Sequence, residues 1–335
     1  MHAMPTDEQI VIVSGADDAF AMPMAVALYS ALTNLRRTTT PLVYLLDDGI
    51  SRANKDRIAR VLHSAHPATE LAWLTPDLTA IQGLNPSPWN TRATYMRLFI
   101  PDLLGDRHRK AIYFDSDVVV TGDLAELWAE DLGDRLALAV TNFTDPTVAT
   151  GLPDAYQAVG LDPSTPYFNA GVLVINVERW RRERIAARVF EFLERHSAIA
   201  PFADQDGLNA VLAGDWGELH PRWNVQLMTL RTYGKNGAQP EEARRVQEQM
   251  LANPGILHYI GPRKPWNLRY RGRGASTFVR YLRRSGWYGP ARSAAWAAAR
   301  SVGHVGTRQL ALVKDRLRYG PGRGHPYYSD APQTL

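Results

Sequence analysis

The 335-residue chain contains no cysteine. Disulfides, thiolate metal sites and cysteine nucleophiles are excluded by that alone. Long apolar runs are missing too, since no stretch approaches the ~20 apolar residues that a membrane-spanning helix needs. The opening MHAMPTDEQIVIVSGADD lacks a basic segment followed by an extended apolar one, so no signal peptide is expected there. These absences set the expectation of a cytoplasmic protein. Charged residues make up 21% and hydrophobic residues 45%, a globular balance and not a disordered one. The length suits one large α/β domain with an appendage, or two ordinary domains.

Acid is scarce in one region. From residue 263 to the end, fifteen Lys and Arg face only two acids, Asp315 and Asp330. That segment carries +13, while residues 1–262, with 23 basic and 32 acidic residues, carry −9. An acidic body with a basic tail points to an anionic surface or polyanion as the tail's partner. No RNA- or DNA-binding motif accompanies the charge, so nucleic acid is not expected.

Strand-like and helix-like patterns alternate along the first half. IVIVSGADD reads as a strand ending in a polar turn, and MPMAVALYSALTNL as a helix with Ala25, Leu28, Tyr29, Leu32 and Leu35 on one face. PLVYLLDD is a second strand, SRANKDRIARVLHSA a helix with Ser51 as N-cap, and ELAWLTP a third strand. RATYMRLFIPDLL is predicted as a helix and AIYFDSDVVV as a fourth strand. Further on, LALAVTN and NAGVLVINV read as strands, VERWRRERIAARVFEFLERH as one helix, DQDGLNAVLAG as a short helix, and GELHPRWNVQ and GILHYIG as short strands. This alternation implies a mostly parallel sheet flanked by helices. Ligands of such sheets bind at the carboxyl ends of the strands, where SGADD and DSD both lie.

Asp115 and Asp117 sit inside the hydrophobic run YFDSDVVV. Two readings stand. The pair closes a strand with a polar turn, as Asp often does. Alternatively, the pair holds a divalent cation, which removes the cost of burying two like charges side by side. Mg²⁺ and Mn²⁺ take oxygen ligands and commonly share them with substrate phosphates.

Six segments then occur in order: SGADDAFAMPMAVALYSAL, TYMRLFIPDLL, AIYFDSDVVVTGDLAELWAEDLGD, YFNAGVLVINVERW, ADQDGLN and LHYIGPRKPW. In this order they closely resemble glycosyltransferase family 8, a family that includes bacterial lipopolysaccharide glucosyl- and galactosyltransferases and glycogenin. The resemblance covers roughly residues 9–267. It implies a GT-A fold with a Rossmann-like central sheet, a UDP-hexose donor, Mn²⁺ with Mg²⁺ as the alternative, and transfer with retention of configuration. By matching position, Asp115, Asp117 and His258 resemble the metal ligands. Gly261 and Lys264 resemble residues that hold the diphosphate. Gly15, Ala16, Asp17 and Phe20 resemble the loop that receives uracil and ribose, although Ala19 and Phe20 replace the family's usual Asn-Tyr. Arg97, Ser116 and Gly171 are carried over as donor-binding positions, and Asn169, Asp204 and Gln205 as the catalytic set. Asn142 stands where some relatives have an aspartate.

The resemblance implies a domain at residues 1–265, its nucleotide-binding half about 1–120 and its sugar and acceptor half about 121–265. Residues 266–335 form a basic, aromatic, partly helical extension. The expected function is transfer of glucose or galactose from UDP-sugar to a carbohydrate or glycolipid acceptor. The alternative is a catalytically weak UDP-sugar or carbohydrate-binding protein of the same fold. Clustered arginines and tryptophans in the extension predict peripheral contact with the anionic inner face of a membrane.

Overall fold

Pro41–Asp48 is buried along almost its whole length, as a strand covered on both faces must be. It is the second strand, β2, of a sheet that begins with β1 (Ile10–Asp17) and continues with β3 (Glu70–Leu74). Helices α1 (Ala21–Asn34) and α2 (Arg52–Ala65) make the crossovers. Ser51 caps α2, its side chain accepting from the Asn54 backbone N–H at 3.4 Å. The computed structural model describes residues 9–36, 39–81, 92–196, 199–230, 233, 240–267 and 270–289.

A turn of 3₁₀ helix (Arg92–Phe99) leads into the short helix α3 (Ile100–Leu104), where one continuous helix was predicted. Pro101 in the first turn of α3 lacks the N–H that would bond back into the preceding turn. Strand β4 (Lys110–Phe114) follows, then β5 (Val118–Val120). The run AIYFDSDVVV is therefore not the single fourth strand that its apolar pattern suggests. The chain breaks at residues 115–117 and passes from one sheet to another, which takes two carboxylates out of a doubly covered sheet.

The remaining elements are α4 (Leu124–Trp128), β6 (Ala137–Thr141), α5 (Val148–Gly151), β7 (Phe168–Asn176), α6 (Val177–Arg182), α7 (Ile185–His196), α8 (Asp204–Val211), β8 (Trp216–Glu218), β9 (Val225–Gln226), α9 (Pro240–Ala252), β10 (Ile256–His258) and α10 (Ala275–Arg284). The predicted helix over 177–196 is two helices, because Arg184 adopts a left-handed φ of 53° between them. That conformation cannot continue a right-handed helix.

Among the described residues, the large sheet has seven strands in the order β3-β2-β1-β4-β7-β6-β8, and the small one three in the order β5-β10-β9. In the large sheet the pairs β3–β2, β2–β1, β1–β4 and β6–β8 are parallel, and β7 runs antiparallel to both its neighbours. The fold is thus the expected mixed α/β arrangement, with a mostly parallel sheet flanked by helices. The strand order reverses direction between β1 and β4. At such a switch point the helices diverge and leave room for a ligand. SGADD closes β1 and DSD directly follows β4, so the two lie at the same end of these adjacent parallel strands.

Residues 270–287 group with the body as one compact unit. Helix α10 packs on α1 and β5. Asn34 of α1 ties the contact, its Nδ2 donating to the Tyr281 hydroxyl at 2.7 Å and to the Val120 carbonyl at 3.0 Å. From residue 290 on, the basic extension expected over 266–335 lies outside the described residues. No helix among the described residues is long and apolar enough to cross a membrane.

Candidate active site

The break between β4 and β5 presents Asp115 and Asp117, and strand pairing brings the third group to them. β10 pairs antiparallel with β5 so that His258 lies opposite Val118. One ligand atom from each of Asp115, Asp117 and His258 lies within 4.8 Å of the others. His258 Nε2 is 3.3 Å from Asp117 Oδ1 and 3.9 Å from Asp115 Oδ2. Backbone bonds hold the frame: Asp115 N–H donates to the Gly171 carbonyl at 2.9 Å, and Tyr259 N–H to the Asp117 carbonyl at 3.0 Å.

Two cations grip this cluster. Lys264 Nζ pairs with Asp117 Oδ2 and donates to the Tyr259 carbonyl. Burial pushes the Asp117 carboxyl up, but Lys264 and His258 outweigh it and hold the group well below the ordinary carboxylate range. Arg97 is almost fully buried, with NH2 3.0 Å from Asp115 Oδ1 and its guanidinium over the Tyr113 ring at 4.9 Å. Its Nε lies 2.9 Å from Asp204 Oδ2 while donating to the Thr94 carbonyl at 3.0 Å. With that proton already used, the contact to Asp204 is one of charge. Burial nevertheless pushes Asp204, fully shielded from solvent, up to about 7. The Tyr113 hydroxyl donates to Asp115 Oδ1 at 2.7 Å, and burial raises this phenol well above its usual range, so it remains a donor.

Gly171 makes the space. A Cβ placed there would lie 2.2 Å from His258 Cε1 and 2.9 Å from Asp115 Oδ2. Any side chain at 171 would displace two of the three candidate ligands. Two carboxylates and an imidazole around a cradle kept clear by glycine suit a divalent cation with mixed oxygen and nitrogen preference.

Beside the charged cluster lies a neutral one. Gln205, at the start of α8, is half-buried. Its Oε1 accepts from Ala170 N–H at 3.1 Å and from Asn169 Nδ2 at 3.2 Å. Its Nε2 donates to the Tyr167 hydroxyl at 3.0 Å, which donates to Asp206 Oδ1 at 2.5 Å. Asp206 also accepts from the Phe202 N–H, and burial pushes it up to about 7. Asn169 Oδ1 accepts from Gly171 N–H and from Asn224 Nδ2. Asn209 on α8 donates to the Phe168 carbonyl at 2.9 Å and accepts the Phe168 N–H at 2.7 Å. These two bonds to one residue of the strand dock α8 on β7.

Carried-over positions elsewhere fall as follows. Gly15 and Ala16 end β1, where a Cβ on Gly15 would meet Leu46 and Met96 at 2.9 Å. Asp17 Oδ1 accepts the Phe20 N–H at 2.9 Å, so this carboxylate is committed to a turn. Phe20 is half-buried and meets Trp266 edge-on at 5.5 Å. Ser116 is half-buried at the turn between the two aspartates. Gly261 has φ of 80°, a backbone state natural to glycine, three residues before Lys264. Asn142 is buried and donates to Asp145 Oδ2 at 3.2 Å. Sequence reasoning missed Tyr167, Asp206 and Asn209 as supports of Gln205, and left Asn224 unassigned.

Residues 11–269 match Glycosyl transferase family 8. General stress protein A of Bacillus subtilis is 30% identical over 292 residues, covering 85% of this chain and 96% of that protein. A lipopolysaccharide 1,3-galactosyltransferase of Salmonella typhimurium is 28% identical over 208 residues, 60% of this chain and 57% of that enzyme. Among solved structures, the galactosyltransferase LgtC in complex with donor and acceptor sugar analogs superposes with a TM-score of 0.71 and 28% identity, over 82% of this chain and 96% of that one. With a match that spans most of the sequence and a shared fold around the switch point, the chain belongs to glycosyltransferase family 8.

Proposed function

We propose that the protein is a metal-dependent retaining hexosyltransferase, moving glucose or galactose from UDP-sugar to a carbohydrate or glycolipid acceptor. The observation that carries the reading is the convergence of Asp115, Asp117 and His258 within 4.8 Å, with Lys264 against one of the carboxylates. Asp115, Asp117 and His258 would hold Mn²⁺, or Mg²⁺ in its place. Such an ion, when bound, neutralises charge on the departing UDP.

The chain's own residues divide the remaining work. Lys264 offers its ammonium to the diphosphate, and Gly261 lets backbone approach it. Arg97 holds Asp115 in place, and buried Asp204 acts through Arg97. Gly15, Ala16, Asp17 and Phe20 line the end of β1 where the nucleoside would sit, with Ser116 and Gly171 nearer the diphosphate and sugar. Gln205 and Asn169 face the sugar. The two carboxylates flanking Gln205 in sequence are both engaged, Asp204 with Arg97 and Asp206 with Tyr167 and Phe202. Neither is placed to attack the sugar, which favours front-face displacement. The bond from the anomeric carbon to UDP breaks, the acceptor oxygen bonds on the same face, and the hydroxyl proton passes to the leaving diphosphate. Gln205 Oε1 stabilises positive charge on the anomeric carbon.

A screen of UDP-sugars for Mn²⁺-dependent hydrolysis, followed by determination of the anomer formed on an acceptor, tests this reading. A product of inverted configuration overturns the stereochemical assignment. Tight UDP-sugar binding without turnover instead supports the weak-enzyme alternative. The basic tail extends the proposal to an anionic membrane surface. Binding of the full chain to anionic vesicles should weaken as salt rises and fall on deletion of residues 301–335, with hydrolysis retained. Indifference to such vesicles at low salt removes the membrane role.

A further inference from the structure

His258 has two ring nitrogens, and only an unprotonated Nε2 can face the Asp115–Asp117 pair as a ligand. Which nitrogen bears the proton follows from a chain of amides that starts at two backbone donors. Ala170 N–H can only donate, so the Gln205 atom 3.1 Å away must be oxygen. Gly171 N–H can only donate, so the Asn169 atom 3.1 Å away is also oxygen. The other Asn169 terminus is then nitrogen, and it meets the Gln205 oxygen at 3.2 Å. Asn169 Oδ1 lies 2.8 Å from the Asn224 side chain, which must therefore present its nitrogen there. Asn224 consequently turns its oxygen to His258 Nδ1, at 2.9 Å. An acceptor at that distance requires a proton on Nδ1, so in the neutral ring Nε2 carries the lone pair and turns it toward the carboxylates.

We propose that Asn224 is a positioning residue that locks His258 in the Nδ1–H tautomer and, through Asn169, couples the metal-ligand end of the site to Gln205. Asn224 is fully buried, so it acts through these neighbours and touches no substrate. Strand pairing fixes its place. Val225 of β9 pairs with Leu257 of β10, which sets Asn224 beside His258 before any ligand binds. Outer partners of metal-ligating histidines hold ring orientation and raise ligand basicity, and their loss costs about 10- to 100-fold in metal affinity or activity. Here the partner is an amide, and an amide has a second end. The same side chain that accepts from the histidine donates toward the residues that face the sugar.

The inference rests on the metal-site reading, and two variants separate the two claims. Asn224→Asp keeps the acceptor for His258 but loses the donor to Asn169. Asn224→Leu loses both. In full-length protein without metal, long-range ¹H–¹⁵N correlation of the neutral His258 ring should show Nδ1–H in the wild type and in Asn224→Asp, and a mixture of tautomers in Asn224→Leu. Titration with Mn²⁺ alone should give near wild-type affinity for Asn224→Asp and an affinity about 10- to 100-fold weaker for Asn224→Leu. With UDP-sugar, Asn224→Asp should lower kcat while leaving KM close to wild type. An Nε2–H tautomer in the wild type overturns the proposal, as does undiminished Mn²⁺ binding by folded Asn224→Leu. Should the wild type bind no Mn²⁺, the metal reading fails, and the tautomer measurement still decides the role of Asn224.

Discussion

Two adjoining regions of the site are built from opposite materials. One is charged, with Asp115, Asp117, Asp204, Arg97 and Lys264 around His258. The other is neutral, a run of amides and a phenol through Asn224, Asn169, Gln205 and Tyr167. Charges attract at several ångströms and tolerate small errors of position. Neutral hydrogen bonds are weaker, directional, and lost within a fraction of an ångström. The difference suits a division of labour in which the charged region binds the diphosphate end and the neutral region aims at the sugar.

If that division holds, damage to each region has a different signature. The largest effect is expected from Asp117→Asn, which removes the charge of one candidate ligand. Activity should fall by at least about 1000-fold, since a metal's charge stabilisation is worth several kcal/mol and each 1.36 kcal/mol is about tenfold. Steady-state transfer assays check it, and a residual rate near wild type would place the metal elsewhere. Next comes Gln205→Ala, in the neutral region. We expect kcat to drop by about 100-fold, the scale of losing one preorganised polar group, with UDP affinity nearly unchanged. Parallel losses in kcat and UDP binding would make Gln205 a structural residue and erase the contrast.

Gly171→Ala tests the seam between the regions. The new methyl collides with His258 and Asp115, so stability should fall by about 1–3 kcal/mol and Mn²⁺ binding should weaken with it. Denaturant melts and a metal titration measure the two together, and wild-type values in both would mean the cradle is looser than the packing implies. At neutral pH the smallest effect concerns Asp206, whose contribution appears as a pH slope. Its carboxyl titrates at 3.8 in the unfolded chain and near 7 in the fold. Between those values the unfolded state binds fewer protons, so this group makes stability fall as pH rises from about 4 to about 7, then level off. Asp206→Asn should flatten that part of the stability profile, by up to a few kcal/mol across the window. Asp117 works in the opposite sense, its contribution being present above the unfolded value of 3.8 and lost at lower pH.

The two regions also differ in how far they are legible in the sequence. Asp115 and Asp117 announce themselves because their neighbours are apolar and the cost of burying them is local. His258 and Lys264 emerge only with the surrounding GPRKPW pattern, since neither type nor spacing marks them alone. Of the amides, Asn169 and Gln205 emerge only through the family resemblance, and Asn224 gives no signal. His258 and Asn224 are 34 residues apart, and Asn224 and Asn169 are 55 apart. They meet only because β9 pairs with β10 beside the broken strand, and neutral polar residues are too common to single out by type. The same limit applies to the fold. The alternation of elements was readable from hydrophobic period, but the break between β4 and β5 was not, because Ile112, Tyr113 and Phe114 before DSD and the valines after it favour extended backbone whichever sheet they join. The split of 177–196 into α6 and α7 was hidden likewise, since the run contains no Gly or Pro and nothing in the residue type of Arg184 marks a break.

The most direct test of metal-supported transfer is the rate of UDP-glucose and UDP-galactose turnover by the full chain as Mn²⁺ is titrated in and then removed with a chelator. We expect saturable activation, loss of turnover on chelation, recovery when Mn²⁺ is restored, and no activation of Asp117→Asn. Turnover that persists unchanged in the chelator would contradict the metal site and, with it, the division of the pocket into a charged region that binds and a neutral region that aims.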